Sequence, residues 1–447
     1  MANPATFYHS FYLGKRTYVA GAALVLLFII SFYVPALLNV GKAGLAFLCF
    51  AILVDVFILY RKKEALQAQR ITSPRFSNGD DNKVVLVLNN QYNFIAEAEI
   101  IDELPIQFQF GKMLKRIKLQ PESETELEYI VKPYERGEYL FGNIVAIVCS
   151  PLGLAKRKFS FPAAQTVQVY PSYVQMRRYS LQAVSNDLQE TGTKRLRKSG
   201  QSVEFEQIKE YVRGDDYRTI NWKASARKSQ LMVNTYVDEK SQQIICLVDK
   251  SRSMKMPFDG LTLLDYAINA ALVLSSIGLH KQDKTGLLTF AQKVDSYLPP
   301  ERKSMQMEAV LETLYRQQTN FADASYEALY AYIRGRVKQR SLLVLFTNFE
   351  SLYGLQRQMP YLKMIAHYHL LLVVFFENTE VKTLLHSPAS NTEEIYIKTI
   401  AEKFTLEKRQ MVKELQHQGI LTLLTTPQQL TVNAINKYLE IKAQQML

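Results

Sequence analysis

Three oxygen-bearing side chains stand at alternate positions directly after an apolar run: Asp249, Ser251 and Ser253 in CLVDKSRSM, Cys246–Met254. In an extended loop this spacing turns one carboxylate and two hydroxyls toward a common point. Hard cations take oxygen donors of this kind, and Mg2+ keeps several waters while accepting one or two carboxylates. Mn2+ or Ca2+ would also suit. The competing reading is a serine-rich turn whose hydroxyls bond the backbone that follows.

Other chemistry finds little support. The six histidines, His9, His280, His367, His369, His386 and His417, include one close pair, at 367 and 369. Two histidines at a helix-to-strand junction fall short of a zinc ligand set. No glycine-rich phosphate loop, Gly-x-Ser-x-Gly or His-Glu-x-x-His occurs. A metal-dependent hydrolase built on the Asp249 loop would also need a general base, so no catalytic residue is assigned. The three cysteines, Cys49, Cys149 and Cys246, lie far apart in apolar runs, which argues against a disulfide framework.

The loop depends on the elements that carry it. From about Gln243 apolar strands alternate with helices: QIICLV, TGLLTFA, SLLVLF, HLLLVVFF and ILTLLTT are the strands. Thr262 opens a helix with Asp265 three residues on as a capping-box partner, and YAINAALVLSSIGL is apolar on almost every side, hence buried. Gly419 closes a long helix and Pro427 begins the last. This pattern predicts a doubly wound α/β domain over 243–447 with a mainly parallel sheet. Ligands of such sheets bind at the carboxyl ends of the strands, where Asp249 falls.

Upstream, residues 75–172 hold six or seven short strands punctuated by Gly, Pro and Asn, which predict a β-sandwich. Its charges read as solvated strand faces. Residues 62–74 read as a basic, helix-compatible connector. Residues 173–242 combine a basic linker with an unusual segment, Val203–Val233. The run KRLRK, Lys194–Lys198, lacks interleaved aromatics and reads as solvated rather than as a nucleic-acid site. In the segment after it, Phe205, Ile208 and Val212 lie on one helical face. Acids then precede Arg218, Lys223 and Arg227 around Trp222, the chain's one tryptophan. That arrangement suits an ion-pair clasp or a partner surface.

The N-terminus reads as a membrane hairpin over residues 1–61. Thr17–Val40 and Ala43–Tyr60 are apolar runs, joined by Gly41-Lys42 as a tight turn. Lys15 and Arg16 before the first span, and Arg61, Lys62 and Lys63 after the second, place both flanks and the rest of the chain in the cytoplasm. Asp55, near the cytoplasmic end, reads as reaching Arg61 or headgroup water. The length of 447 residues calls for two or three domains, and a net charge of +12 favours acidic partners or a membrane surface.

Two resemblances sharpen these expectations. DKSRSM resembles the metal-ion-dependent adhesion site of von Willebrand factor A domains, which begins Asp-x-Ser-x-Ser. The resemblance implies a threonine from a later loop, matched by Thr319 in QQTNFAD. It also implies an aspartate after a central strand, where this chain has Asn348 in SLLVLFTNFES. The implied ligand set is Asp249, Ser251, Ser253, Thr319 and Asn348, with Glu350 or Asp323 as nearby acids. The series of Glu-Phe, Glu-Tyr, Arg-Gly-Asp, Arg-x-Ile-x-Trp and Ala-Arg leading to Asp-x-Ser resembles the bacterial MoxR-associated, von Willebrand factor A-like family. In ERGEYLFGNIVAIVCSPLGL, Ser150 and Leu152 replace that family's usual Asp and Phe.

The resemblance implies a two-pass inner-membrane protein that partners a cytoplasmic MoxR-type AAA+ ATPase in chaperone-like maturation or envelope functions. Other A-domain proteins would be further partners, and Arg218, Trp222, Arg227 and Glu350 are the candidate partner contacts. The alternatives are a hydrolase using the Asp249 loop and a structural protein with a metal-free A domain. No nucleic-acid partner is expected.

Overall fold

Pro35 ends the first apolar run early. In the computed structural model, helix Lys15–Ser31 stops before a turn at residues 32–36, and helix Leu37–Tyr60 returns. Proline disfavours the helical conformation for the residue before it, so the turn forms here and not at Gly41-Lys42. Those two residues lie inside the second helix, which corrects the expected spans 17–40 and 43–60. The glycines serve packing: a Cβ on Gly41 would lie 2.9 Å from Leu27, and one on Gly44 2.9 Å from Leu24. Small residues of this kind let apolar helices approach closely. Leu37–Tyr60 is long and apolar enough to cross a membrane; Leu263–His280 passes the same test but is a buried core helix. The described residues are 9–108, 112–179, 204–212, 215–237, 242–303, 305–319, 321–378, 381, 385, 391–444 and 446.

The chain divides into two units, Met1–Tyr170 and Pro171–Leu447. In the first, a five-stranded sheet runs in the order Phe11–Leu13, Ala155–Phe161, Ile144–Cys149, Ala96–Asp102, Met113–Leu119. It shares a core with the sheet Leu66–Thr72, Asn82–Asn90, Ser123–Val131: Leu86, Leu88 and Leu127 meet Ala98, Ile100, Ala146 and Val148. A smaller sheet of Arg75–Ser77, Gln165–Tyr170 and Gly137–Phe141 has its own core around Phe76, Tyr139 and Phe141. Strand Leu66–Thr72 overturns the helix-compatible connector at 62–74, for its backbone pairs antiparallel along Asn82–Asn90.

The sheets of this unit bury a charged pair, Arg70 and Asp102, against the expectation of solvated faces. The Arg70 guanidinium holds the Asp102 carboxylate through two contacts and also donates to Ala163 O at 2.6 Å and Gly142 O at 3.0 Å. Tyr129 donates to the same carboxylate. Burial, reinforced by the Asp102 charge, raises the Tyr129 hydroxyl well above its ordinary range.

Asp55 takes its hydrogen bonds from the 150–154 loop, with none from Arg61 among the described residues. It accepts from the Ser150 hydroxyl, from Leu154 N–H at 3.0 Å and from Leu152 N–H at 3.4 Å. Thr17 adds a bond to Leu154 O at 2.6 Å, so both helices grip the same loop. Arg157 donates to Leu59 O in the last turn of the second helix at 2.7 Å and to Lys62 O just beyond it at 2.8 Å.

In the second unit a six-stranded sheet runs Val294–Glu301, Lys284–Phe290, Gln243–Asp249, Leu342–Phe346, Leu370–Phe376, Leu421–Thr425. Only the first of these is antiparallel. That edge strand escaped notice because Pro299-Pro300 interrupts it, and edges tolerate proline. Alternate residues of Gln243–Asp249 face opposite layers. Ile244, Cys246 and Val248 pack with helices Leu263–His280, Gln306–Tyr315 and Leu430–Ala443. Ile245 and Leu247 pack with Tyr326–Arg336, Leu352–Tyr368 and Thr392–His417. The capping box at Thr262 and Asp265 forms as expected, and Gly419 closes the long helix at φ +73.

The segment before this sheet is a hairpin, not a helix: Glu204–Glu210 pairs antiparallel with Met232–Val237. Three apolar residues were too few to separate the two periods, and the partner strand supplies the ladder. Lys194–Lys198, Arg213 and Gly214 lie outside the described residues, as do the side chains of Glu204–Gln207.

Removing Arg70 strands a buried carboxylate, so Arg70→Ala should cost about 3–5 kcal/mol. Asp55→Ala leaves backbone donors of the 150–154 loop unpaired and should cost roughly 1–3 kcal/mol for each buried one. Urea unfolding of the detergent-solubilised protein measures both; a change within error at either position would refute its assigned structural role.

Candidate functional site at the end of strand Gln243–Asp249

The order of the sheet reverses at Gln243–Asp249, which has Lys284–Phe290 on one side and Leu342–Phe346 on the other. A strand so placed is apolar on both faces, and its carboxyl end opens a crevice between the neighbouring loops. Asp249 sits at that end, 1% exposed. Its carboxylate accepts from Ser251 N–H at 2.8 Å and from the Thr347 hydroxyl at 2.7 Å. Thr347 in turn lies 2.7 Å from the Tyr326 hydroxyl. Burial raises the Asp249 carboxyl above the usual range, against the pull of its bonds from Thr347 and Ser251. Burial also raises the Tyr326 hydroxyl, and the Asp249 charge adds to it.

The residues named from the sequence do converge. Ser251 and Ser253 have their hydroxyls 3.1 Å apart. Thr319 donates to Lys250 O at 2.9 Å and lies 3.4 Å from Ser251 O. Asn348 reaches Ser253 O with its amide nitrogen at 3.4 Å. The nearby acids do not join them by any hydrogen bond among the described residues. Asp323 pairs with Arg252 at 3.2 Å in solvent, and Glu350 is exposed.

The residue that sequence reasoning missed is Lys408, on helix Thr392–His417. Its ammonium donates to Asn348 Oδ1 at 2.8 Å and to Phe349 O at 2.6 Å, and lies 5.7 Å from the centre of the Phe375 ring. Burial lowers the Lys408 amine to about 8, while the Glu350 charge pulls the other way. Nothing in the local sequence marks this lysine.

This donor set, as folded, is a poor fit for a divalent ion. It offers one carboxylate, both of whose oxygens already accept hydrogen bonds. The Asn348 oxygen faces an ammonium.

No hydrogen bond or ion pair among the described residues joins the other candidates to this crevice. Asn221 caps the short helix Trp222–Lys228, and Trp222 is 71% exposed, with Arg218 and Arg227 also at the surface. No ion pair of Arg218, Lys223 or Arg227 with the acids of the expected clasp forms among the described residues; Asp215 pairs instead with Lys209 at 2.9 Å. His367 is exposed and His369 buried, so this pair does not converge; His386 lies outside the described residues.

Thr347→Val removes the donor to Asp249 and the partner of Tyr326. It should destabilise the second unit by about 1–3 kcal/mol, with Thr347→Ser close to neutral. Thermal unfolding compares the two; equal stability of both variants with the native protein would refute the hydrogen-bond chain.

The profile of a family described as "Protein of unknown function DUF58" matches residues 207–384, which include the Asp249 loop, Thr319 and Asn348. Lys408 lies beyond that stretch. The chain is 24% identical over 216 residues to the uncharacterized protein YeaD of Bacillus subtilis (strain 168), an overlap of 46% of this chain and 53% of that protein. Among solved structures, the CARDB domain of PF1109 from Pyrococcus furiosus aligns over 23% of this chain and 91% of its own, at 13% identity and a TM-score of 0.17. Proximal thread matrix protein 1 from the mussel byssus aligns over 44% of this chain and 46% of its own, at 12% identity and a TM-score of 0.24. Neither structural likeness is close enough to carry an argument. The chain thus resembles the DUF58 family across the segment that holds its crevice.

Proposed function

We propose that this protein is a membrane-anchored docking protein whose second unit is a von Willebrand factor A-like domain. The partner is a cytoplasmic MoxR-type AAA+ ATPase, in chaperone-like maturation or envelope functions. The observation that carries the reading is the convergence of Asp249, Ser251, Ser253, Thr319 and Asn348 on one crevice, at the point where the strand order reverses. Such crevices are where sheets with helices on both faces bind ligands. The exposed Trp222, beside Arg218 and Arg227, adds a second surface of the composition that partner hot spots favour. A hydrolase has less support, since the one buried carboxylate of the crevice is held by Thr347 and Ser251 and no histidine stands beside it among the described residues.

The anchor is the helical pair Lys15–Ser31 and Leu37–Tyr60 of the first unit, read as a two-pass hairpin in the bacterial inner membrane with the chain from about residue 61 onward cytoplasmic. The basic flanks support this orientation.

Two experiments test the reading. Tagged full-length protein from gently solubilised membranes should capture an AAA+ ATPase, and Asp249→Ala should lose it. Recovery of no ATPase by the native protein would end the docking proposal. With the native cysteines replaced, a cysteine at Val34 should label from the periplasmic side and one at Gln67 should not; the reverse pattern would invert the topology.

A further inference from the structure

The crevice contains a cation of its own. Lys408 comes from a helix distant in sequence and sets its ammonium on Asn348 Oδ1 and Phe349 O, at 2.8 and 2.6 Å. Both acceptors are neutral. An ammonium carries three donors, and the described residues supply no carboxylate in direct contact with this one. A half-buried positive charge without a counter-ion is costly, and Glu350 acts on it only through its field. Asn348 extends the link to the loop, its amide nitrogen meeting Ser253 O at 3.4 Å. The ammonium is therefore joined through one side chain to the loop that carries Asp249, Ser251 and Ser253.

A divalent ion would need the same oxygen. Mg2+ takes its ligands at about 2.1 Å in near-octahedral geometry. Asn348 Oδ1 cannot serve an ion at that distance and keep the ammonium in place, because the two cations would repel across a few ångströms of low-dielectric space. Asn348 also brings no charge to hold an ion against that repulsion.

We propose that the Lys408 ammonium is the built-in cation of this crevice: it holds the position at Asn348 that a divalent ion would require, and it receives an acidic side chain of the docking partner without a metal. The proposal rests on the docking reading given above, and deepens it by naming the chemistry of recognition. It assigns the partner a carboxylate and assigns Lys408 as the residue that meets it.

The test uses full-length protein in detergent micelles, with Mg2+ followed by calorimetry and Mn2+ by electron paramagnetic resonance. The native protein should bind neither ion at millimolar concentration. Asn348→Asp alone should gain nothing, since the new carboxylate pairs with Lys408. Combined with Lys408→Met it should gain affinity by roughly tenfold or more, as a carboxylate is added and a competing charge removed. Capture of the AAA+ ATPase should persist in chelator and fall at least about tenfold in Lys408→Met, with the circular dichroism of the variant unchanged. Stoichiometric ion binding by the native protein would overturn the proposal without any variant, and so would capture that is lost in chelator or indifferent to Lys408→Met. Failure to capture an ATPase at all would refute the docking reading and the role in recognition, while the ion titrations would still decide whether Lys408 replaces the metal.

Discussion

A carboxylate at the end of a strand that is apolar on both faces must find its partners within the protein. Asp249 is in that position, and much of the local architecture follows from it. Thr347 must end the neighbouring strand with a hydroxyl, and Tyr326 must begin its helix within reach of that hydroxyl. The loop after Asp249 must bend so that Ser251 N–H returns to the carboxylate. These bonds fix the path of the loop before any ligand arrives. A crevice of this kind is preorganised, and preorganisation lowers the entropic cost of binding.

Much of the second unit was legible because its signals are local. The alternation of apolar strands with helices named five of the six strands of the sheet. The capping box at Thr262 and Asp265 named a helix start, and Gly419 a helix end. The crevice was legible in part: Thr319 does meet the Asp249 loop across a long separation. Lys408 was not legible, because a lysine on a charged amphipathic helix looks like every other solvated lysine. What distinguishes it is the ring of Phe375 beneath it and the carbonyl of Phe349 beside it, and both are facts of tertiary packing.

The first unit shows the opposite balance. Its strands were expected from their alternation, yet the strand Leu66–Thr72 was concealed by the charges around it. Arg70 and Asp102 show why charge is a poor guide to exposure. An arginine that satisfies a carboxylate and two carbonyls at once can be buried fully. The helix ends were misplaced for a simpler reason. Apolar composition runs unbroken through Phe32–Ala36, and only the backbone restriction imposed by Pro35 marks the turn.

The grip of Asp55 on the 150–154 loop has a consequence for the bilayer. The loop carries backbone polar groups and cannot enter hydrocarbon, so the apolar part of the second helix begins above Asp55. Leu37–Val54, with Lys42 in its second turn, spans about 27 Å at the ordinary helical rise, and its uncharged part, 43–54, about 18 Å, against a hydrocarbon core of about 30 Å. In the membrane-anchored reading this is negative hydrophobic mismatch. The bilayer relieves it by thinning locally or by drawing the β-sheet unit into the headgroup layer. Bilayer thickness then acts as a mechanical load on the joint between Asp55 and the 150–154 loop, and lipid composition becomes a variable in how firmly the first unit is seated.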